Sequence, residues 1–181
     1  MTKEEIKTSW DKNRDQAATA GTNLHRAIEL YYNDAPQELP EVIQSKEYGH
    51  FLRFLETHGE KKAFRTEWSV FHEELNLAGQ IDMCYENNDG TIDIYDWKRS
   101  KEIKKFNNYQ TGLGLLEQVP DTNFWHYALQ LNTYRYILES KYGRKVKDMA
   151  IVVFHPNNNS FMKHRIPNMQ DLMEELFSSM M

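Results

Sequence analysis

Three side chains that could carry out chemistry together lie in one short stretch of sequence: Asp82, Asp96 and Lys98. The stretch GQIDMCYENNDGTIDIYDWK is typical of two β-strands joined by a turn, and period-two alternation places Asp96 and Lys98 on one strand face. Two adjacent carboxylates do not both stay ionised without a compensating cation. Lys98 can compensate one of them, whereas Mg²⁺ or Mn²⁺, which prefer hard oxygen ligands, can compensate both. The alternative is a surface hairpin with solvated acids.

The turn between the two strands decides whether the aspartates meet. Asn88-Asp89-Gly90 fits a three-residue hairpin loop, in which a type I turn is followed by a glycine in the left-handed conformation. This loop would pair Asn87 with Thr91, and the same register places Asp82 directly opposite Asp96. A two-residue Asp-Gly turn would shift the pairing by one residue and point Asp82 to the other face. The predicted metal site therefore depends on the longer loop.

Helices and strands alternate along the rest of the chain. Aromatic and β-branched runs predict strands over 62–71, 77–86 and 91–98, and a short apolar run predicts a buried strand over 148–156. Helical spacing of apolar residues predicts helices over 20–32, 42–56, 125–143 and 169–181. This order predicts an α/β (or α+β) protein, in which a sheet is flanked by helices.

Length and composition limit the class of protein. A chain of 181 residues suits one domain, because typical domains have roughly 100–200 residues. The single cysteine, Cys84, excludes an internal disulfide framework and a four-cysteine zinc or iron–sulfur site, which favours a reducing, intracellular compartment. The first residues, MTKEEIKTSWDKNRDQ, do not resemble a signal or transit peptide. No apolar run approaches the about 18 residues of a membrane span, so we expect a soluble protein without a membrane partner.

The basic residues are concentrated in two places although the formal net charge is −5. Such a positive strip on an acidic body can bind phosphate groups, because its field acts within about 8–10 Å. The alternative is that both stretches are solvated helix ends or turns. The two stretches contain Lys98, Arg99, Lys101, Lys104 and Lys105, and Lys141, Arg144, Lys145 and Lys147.

Four short motifs, taken in order, resemble the PD-(D/E)XK nuclease superfamily and in particular its RecB-like exonuclease branch. They are a Gly-x-x-x-His element, Gly-x-x-Asp, Asp-x-Lys and Gln-x-x-x-Tyr. The resemblance covers roughly residues 20 to 155 and implies a restriction-endonuclease-like core, with a mixed central sheet flanked by helices, in one nuclease domain over residues 1–181. In this chain the motifs are Gly21 to His25, Gly79 to Asp82, Asp96-Trp97-Lys98 and Gln130 to Tyr134.

The resemblance also implies a role for each matched residue. Asp82 and Asp96 would bind one or two Mg²⁺ or Mn²⁺ ions, with the Trp97 carbonyl as a further ligand. Lys98 would polarise the attacking water, and His25 would bind a second metal ion. Other implied positions are Gln130 and Tyr134, which would contact DNA or orient Lys98, and Glu67, which stands where some members place an accessory acid.

The implied function is metal-dependent hydrolysis of DNA at ends or in single strands, as in DNA repair or recombination. Arg99, Lys101, Lys104 and Lys105 would guide the strand, and the segment from Ser100 to Phe124 would be a lid or a DNA-contacting loop. The alternatives are an endonuclease for structured or duplex DNA, an inactive nucleic-acid-binding module, and RNA as the substrate. The iron–sulfur cysteines of some relatives are absent here, so no such cluster is expected.

Overall fold

A five-stranded sheet forms the centre of the molecule in a computed structural model that describes residues 2–35 and 38–181. Within these described residues, four α-helices and two short 3₁₀ helices surround the sheet. In chain order the elements are α1 Lys3–Tyr32, the 3₁₀ helix Val42–Gln44, α2 Lys46–His58, β1 Lys62–His72, β2 Leu77–Glu86, β3 Ile92–Lys98, the 3₁₀ helix Gly114–Leu116, α3 Asn123–Lys141, β4 Val146–Val153, β5 Met162–Arg165 and α4 Gln170–Ser178.

The sheet is mixed, as predicted. Its strands lie in chain order, with β1–β2, β2–β3 and β4–β5 antiparallel and β3–β4 parallel. A parallel pair needs a crossover connection, and α3 lies within the segment that joins β3 to β4. The α/β class expected from the sequence is therefore confirmed.

Helices cover both faces of the sheet. On one face, Ile92 and Ile94 of β3 pack in a cluster with Ala128 of α3. On the other face, Tyr95 and Trp97 pack with side chains of α1 and α2. Because both faces are buried, any polar side chain on the inner strands needs a partner inside the protein.

The hairpin between β2 and β3 has the longer loop, so this prediction is confirmed. The Asn87 N–H donates to the Thr91 carbonyl at 2.8 Å, and the Gly90 N–H donates to the Asn87 carbonyl at 2.9 Å. Gly90 has φ +80°, the left-handed conformation that the loop requires. The resulting register pairs Met83 with Tyr95, so the next residues in each strand are Asp82 and Asp96.

Helix α2 begins at Lys46 and not at residue 42, and β4 covers Val146–Val153 and not 148–156, but two other differences are larger. Helix α1 begins at Lys3 and not near residue 20, because Thr2 and Glu5 form a capping box that starts the helix early. Strand β5, Met162–Arg165, is missing from the prediction because its polar, largely exposed residues carry no alternating pattern. Among the described residues, no helix has both the length and the apolar character needed to cross a membrane.

Candidate active site

Asp82 and Asp96 lie where the paired part of β2 and β3 ends. Both side chains are buried, with residue exposures of 8 % and 3 %. The Asp82 carboxylate accepts a hydrogen bond from the Trp97 backbone N–H at 2.8 Å. This bond fixes the Asp82 side chain beside the Asp-x-Lys segment and satisfies one of its oxygens.

The strand alternation changes at Asp82. Ile81 packs in the cluster against α3, whereas Met83 packs in the cluster against α1 and α2, although period two would place both on one face. On β1, Glu67 lies between residues that pair regularly with β2 and has φ +45°. Such irregularities in neighbouring strands redirect side chains, and they recur at functional sites.

Helix α1 contributes His25 to the same place. Its Nε2 lies 2.7 Å from the Trp97 carbonyl oxygen, and its Nδ1 lies 3.5 Å from Asp82 Oδ1. Burial lowers the pKa of His25, although the Trp97 carbonyl and Asp96 oppose this. Because a carbonyl only accepts, Nε2 carries the proton of the neutral ring, and the lone pair of Nδ1 points toward Asp82. His25, Glu67 and Asp82 each offer a ligand atom, and these atoms lie within 4.8 Å of one another.

Asp96 and Lys98 form an ion pair next to this group. Lys98 Nζ lies 2.6 Å from Asp96 Oδ2, and the two side chains are 20 % and 5 % exposed. Burial lowers the pKa of Lys98, but the Asp96 and Asp82 carboxylates outweigh it and hold that pKa above its ordinary value. Lys98 is therefore a cation at neutral pH. Apart from this ion pair, buried Asp96 Oδ2 has no hydrogen-bond partner within the described part of the chain.

The site has more negative than positive charge. The site holds the carboxylates of Asp82, Asp96 and Glu67 and one ammonium group, that of Lys98, so two negative charges remain when all three carboxylates are ionised. Burial and the neighbouring Asp96 raise the pKa of Asp82 well above its ordinary value. Burial, Glu29 and Asp96 raise the pKa of Glu67 to about 7. This donor set fits a divalent cation, which would cancel the excess charge and bind the oxygen and imidazole ligands available.

Tyr134 of α3 packs in the apolar cluster with Ile81 of β2, and burial raises its pKa together with the nearby Asp96 and Asp82 carboxylates. Gln130 Nε2 donates to Tyr134 Oη at 3.0 Å. A Cβ atom added at Gly79 would overlap Cε1 of Tyr134, so the tyrosine ring requires glycine at the start of the Gly-x-x-Asp motif. The ring that contacts Lys98 is that of Tyr127, whose centroid lies 4.5 Å from Nζ. Tyr127 was missed as a site residue, although its position one helical turn before Gln130 places it on the same helix face.

The four predicted basic residues do not form one surface. Arg99 donates to Glu47 of α2 at 2.7 Å, and its side chain is only 18 % exposed. Lys101, Lys104 and Lys105 are exposed. Three of the four side chains are therefore accessible, while Arg99 fastens the end of β3 to α2.

A cleft of about 380 Å³ opens beside the candidate metal ligands. It is lined by His25 and Glu67, and by Gly21, where an added Cβ atom would meet no atom within 4 Å. The cleft is therefore open at Gly21, and no described protein atom fills the space where a side chain would start. Cys84 is fully buried in the apolar cluster, and burial raises the pKa of its thiol to about 12, so it does not serve as a nucleophile.

Comparisons with known proteins identify the family and a structure with a similar fold. A family model described as the PD-(D/E)XK nuclease superfamily matches residues 2–179. The crystal structure of a candidate exonuclease from Eubacterium rectale aligns with a TM-score of 0.54 at 12 % identity, over 89 % of this chain and 63 % of that chain. This chain therefore spans less than two-thirds of that neighbour.

A second solved structure is more distant. The crystal structure of SSO0001 aligns with a TM-score of 0.37 at 15 % identity, over 88 % of this chain and 72 % of that chain. The search of curated protein sequences found no match. Together with the mixed sheet, the E. rectale neighbour supports the restriction-endonuclease-like fold.

Proposed function

This chain belongs to the PD-(D/E)XK nuclease superfamily, and from that premise we propose that it is a metal-dependent deoxyribonuclease acting on DNA ends or single strands. The superfamily consists of hydrolases that act on nucleic acids, and its members typically use divalent ions. The observation that carries the proposal is the meeting of Asp82, Asp96 and Lys98 at one point of the sheet, beside His25.

The metal would be held by the acidic side chains and the histidine. Asp82 and Asp96 supply carboxylate oxygens, Glu67 supplies a third, and His25 supplies Nδ1. The Trp97 carbonyl accepts a hydrogen bond from His25 Nε2 and has a second lone pair for a further contact. The chemistry that Mg²⁺ or Mn²⁺ supplies at such a site is a lowered pKa for water and neutralisation of charge on the phosphate.

Lys98 has two tasks in the proposed reaction. Phosphodiester hydrolysis forms a bond between a water oxygen and phosphorus and breaks the bond to one sugar oxygen, which gains, by way of solvent, the proton that the water loses. As a cation fixed by Asp96, Lys98 donates a hydrogen bond that orients the water and stabilises the negative charge that develops on the phosphate. The Tyr127 ring beneath the ammonium group restricts its position.

The remaining predicted residues have supporting roles in the proposal. Tyr134 packs against Gly79 of β2, and in this proposal Gln130 and Tyr134 contact the strand that enters the site. Lys101, Lys104 and Lys105 attract the phosphate backbone. The Gly21–His25 element favours the RecB-like branch, and the exonuclease name of the E. rectale neighbour favours cleavage from an end.

A cleavage assay with end-labelled linear DNA and circular single-stranded DNA tests the proposal. With Mg²⁺ or Mn²⁺ we expect linear DNA to be degraded from its ends and circular DNA to remain intact, and EDTA to stop the reaction. Cleavage of the circle would instead identify an endonuclease, because a circle has no ends. Degradation of RNA but not DNA would reassign the substrate.

A test variant and a control variant, both in β3, complete the assay. Asp96→Asn removes a proposed metal ligand, and Asp93→Asn changes a buried aspartate that pairs with Lys61 away from the site. Loss of cleavage in Asp96→Asn alone supports the proposal. Full activity of folded Asp96→Asn, or no metal-dependent cleavage of any nucleic acid by the wild-type protein, contradicts it.

A further inference from the structure

The segment between β3 and α3, residues 99–122, presents large apolar side chains to solvent. Phe106 is 87 % exposed, Tyr109 is 95 % exposed and Leu113 is 89 % exposed. Single exposed apolar residues are common on soluble proteins, but a group of them indicates a surface that binds something. The sequence contains a phenylalanine and a tyrosine three residues apart directly after a group of lysines.

Hydrogen bonds hold the backbone beneath these side chains. Asn107 lies between the two rings, and its Oδ1 accepts from the backbone N–H groups of Tyr109 and Gln110 at 3.0 and 3.1 Å. Its Nδ2 donates to the Asp121 carbonyl at 2.9 Å. The indole N–H of Trp125 donates to the Lys105 carbonyl at 3.0 Å. The rings are thus exposed on a fastened backbone, so binding would require little further ordering.

Phe106 and Tyr109 line one groove, of about 740 Å³, together with Lys104 and His126. The exposed ammonium groups of Lys101, Lys104 and Lys105 precede the first ring in the sequence. Phe106 is eight residues beyond Lys98, so the chain places it at most about 29 Å from the candidate active site. Flat rings beside cations suit a ligand that combines π-faces with phosphate groups.

We propose that this groove, here called the stacking groove, binds unpaired bases of the DNA strand that enters the active site. The inference rests on the proposed nuclease function and specifies its substrate. A duplex keeps its base faces inside the stack, so only a single strand or a single-stranded tail can place bases on Phe106 and Tyr109. Lys104 would contact the phosphates of the same nucleotides.

Binding measured in EDTA, where no cleavage takes place, tests the stacking groove. The ligands are a fluorescently labelled thymidine oligonucleotide and an abasic strand with the same number of phosphates. We expect the wild-type protein to bind the strand with bases at least about 5-fold more tightly. Phe106→Ala and Tyr109→Ala should each reduce this ratio, and Phe106→Leu should too, because leucine is apolar but has no π-face.

Two further variants serve as controls. Tyr109→Phe keeps the ring and should keep the ratio. Trp10→Ala removes another exposed aromatic side chain, 70 % exposed on α1, and should also leave the ratio unchanged. Equal reduction by Trp10→Ala and Phe106→Ala would show a general effect of surface aromatics and would overturn the assignment.

The remaining outcomes are also decisive. Equal affinity of the wild-type protein for both strands overturns the proposal. So does a wild-type dimer that Phe106→Ala converts to a monomer with unchanged DNA affinity, because the surface then binds a second copy. If the wild-type protein prefers the strand with bases but cleaves no nucleic acid, only the nuclease activity is contradicted. If it cleaves normally but binds both strands equally, only the stacking groove is contradicted.

Discussion

Strand β3 carries two buried Asp–Lys ion pairs, and their surroundings differ. Near its start, Asp93 lies 2.7 Å from Lys61 and also accepts hydrogen bonds from Asn87 Nδ2 at 2.8 Å and from the Asp148 N–H at 3.3 Å. Near its end, Asp96 lies 2.6 Å from Lys98, and its Oδ2 has no further hydrogen bond within the described residues.

The difference separates a structural ion pair from a site prepared for a ligand. At Asp93 one carboxylate meets one ammonium group, and its second oxygen is occupied by amide donors. At Asp96 a second carboxylate, Asp82, is held close, and burial and Asp96 raise its pKa. Such a repulsive arrangement costs folding free energy, and the cation that we propose to bind there would offset this cost.

The largest expected effect is on cleavage. Asp96→Asn should lower the initial rate at saturating Mg²⁺ by about 100- to 1,000-fold, because it removes a charged ligand and the partner that positions Lys98. Asp93→Asn should stay within a few-fold of the wild-type rate. Equal rate losses in the two folded variants would remove the distinction between the pairs.

For stability we expect the opposite order, with the larger effect in Asp93→Asn and the smaller in Asp96→Asn. Asp93→Asn leaves the Lys61 ammonium group without its charged partner and should lower the free energy of unfolding by about 3 kcal/mol. Asp96→Asn should cost less, because it also removes the repulsion between Asp96 and Asp82. Urea denaturation of both variants without metal measures the difference, and a larger loss in Asp96→Asn would contradict this account.

A metal ion should bind at the Asp96 end of β3 only, and its binding should stabilise the folded protein. Mn²⁺ at about 100 times its dissociation constant should raise the free energy of unfolding by about 2.7 kcal/mol, and EDTA should reverse the effect. Thermal denaturation of Asp82→Asn should show little of this increase, whereas Asp93→Asn should show all of it. Stabilisation of Asp82→Asn equal to that of the wild type would place the ion elsewhere.

The smallest expected effect is the pH dependence that Glu67 causes. Its pKa in the folded protein, about 7, lies above the ordinary value of 4.5, so the folded state holds a proton that the unfolded state releases. The contribution of Glu67 to stability is therefore full below pH 4.5 and is lost as the pH rises through about 7. Asp82 shifts in the same direction.

Glu67→Gln tests this contribution without metal. Its melting temperature should fall less between pH 4.5 and 7 than that of the wild type, because glutamine does not titrate. Glu56→Gln, a change at an exposed glutamate of α2, should keep the wild-type slope. A steeper fall in Glu67→Gln would mean that the sign of the Glu67 shift is wrong.

Much of the fold followed from local patterns. Strands β1, β2 and β3 begin and end within one residue of their predicted limits, because aromatic and β-branched runs are bounded there by turn residues. The start of α1 was missed although Thr2 and Glu5 have the spacing of a capping box. The polar strand β5 has no local signal, since pairing with β4 alone defines it.

The candidate site could also be predicted in part from the sequence. The ordered motifs suggested His25, Asp82, Asp96 and Lys98 as partners, and the family resemblance added Glu67 as an accessory acid. The structure brings these side chains together, while their roles remain predictions. Arg99 was expected on a DNA-binding strip but pairs with Glu47. Tyr127, and not Gln130, contacts Lys98. Residue spacing does not predict which side chains will be in contact when they are far apart in the sequence.

The sequence alone determined the hairpin register, because a turn acts over a few residues and its conformational preferences are written in Asn88-Asp89-Gly90. Only the tertiary structure decided that α1 places His25 on Asp82 and that Glu67 meets both. Those contacts depend on how a helix packs on a sheet and on where two strands become irregular. The position of a packed helix results from many weak contacts across the whole chain, so no short stretch of sequence determines it.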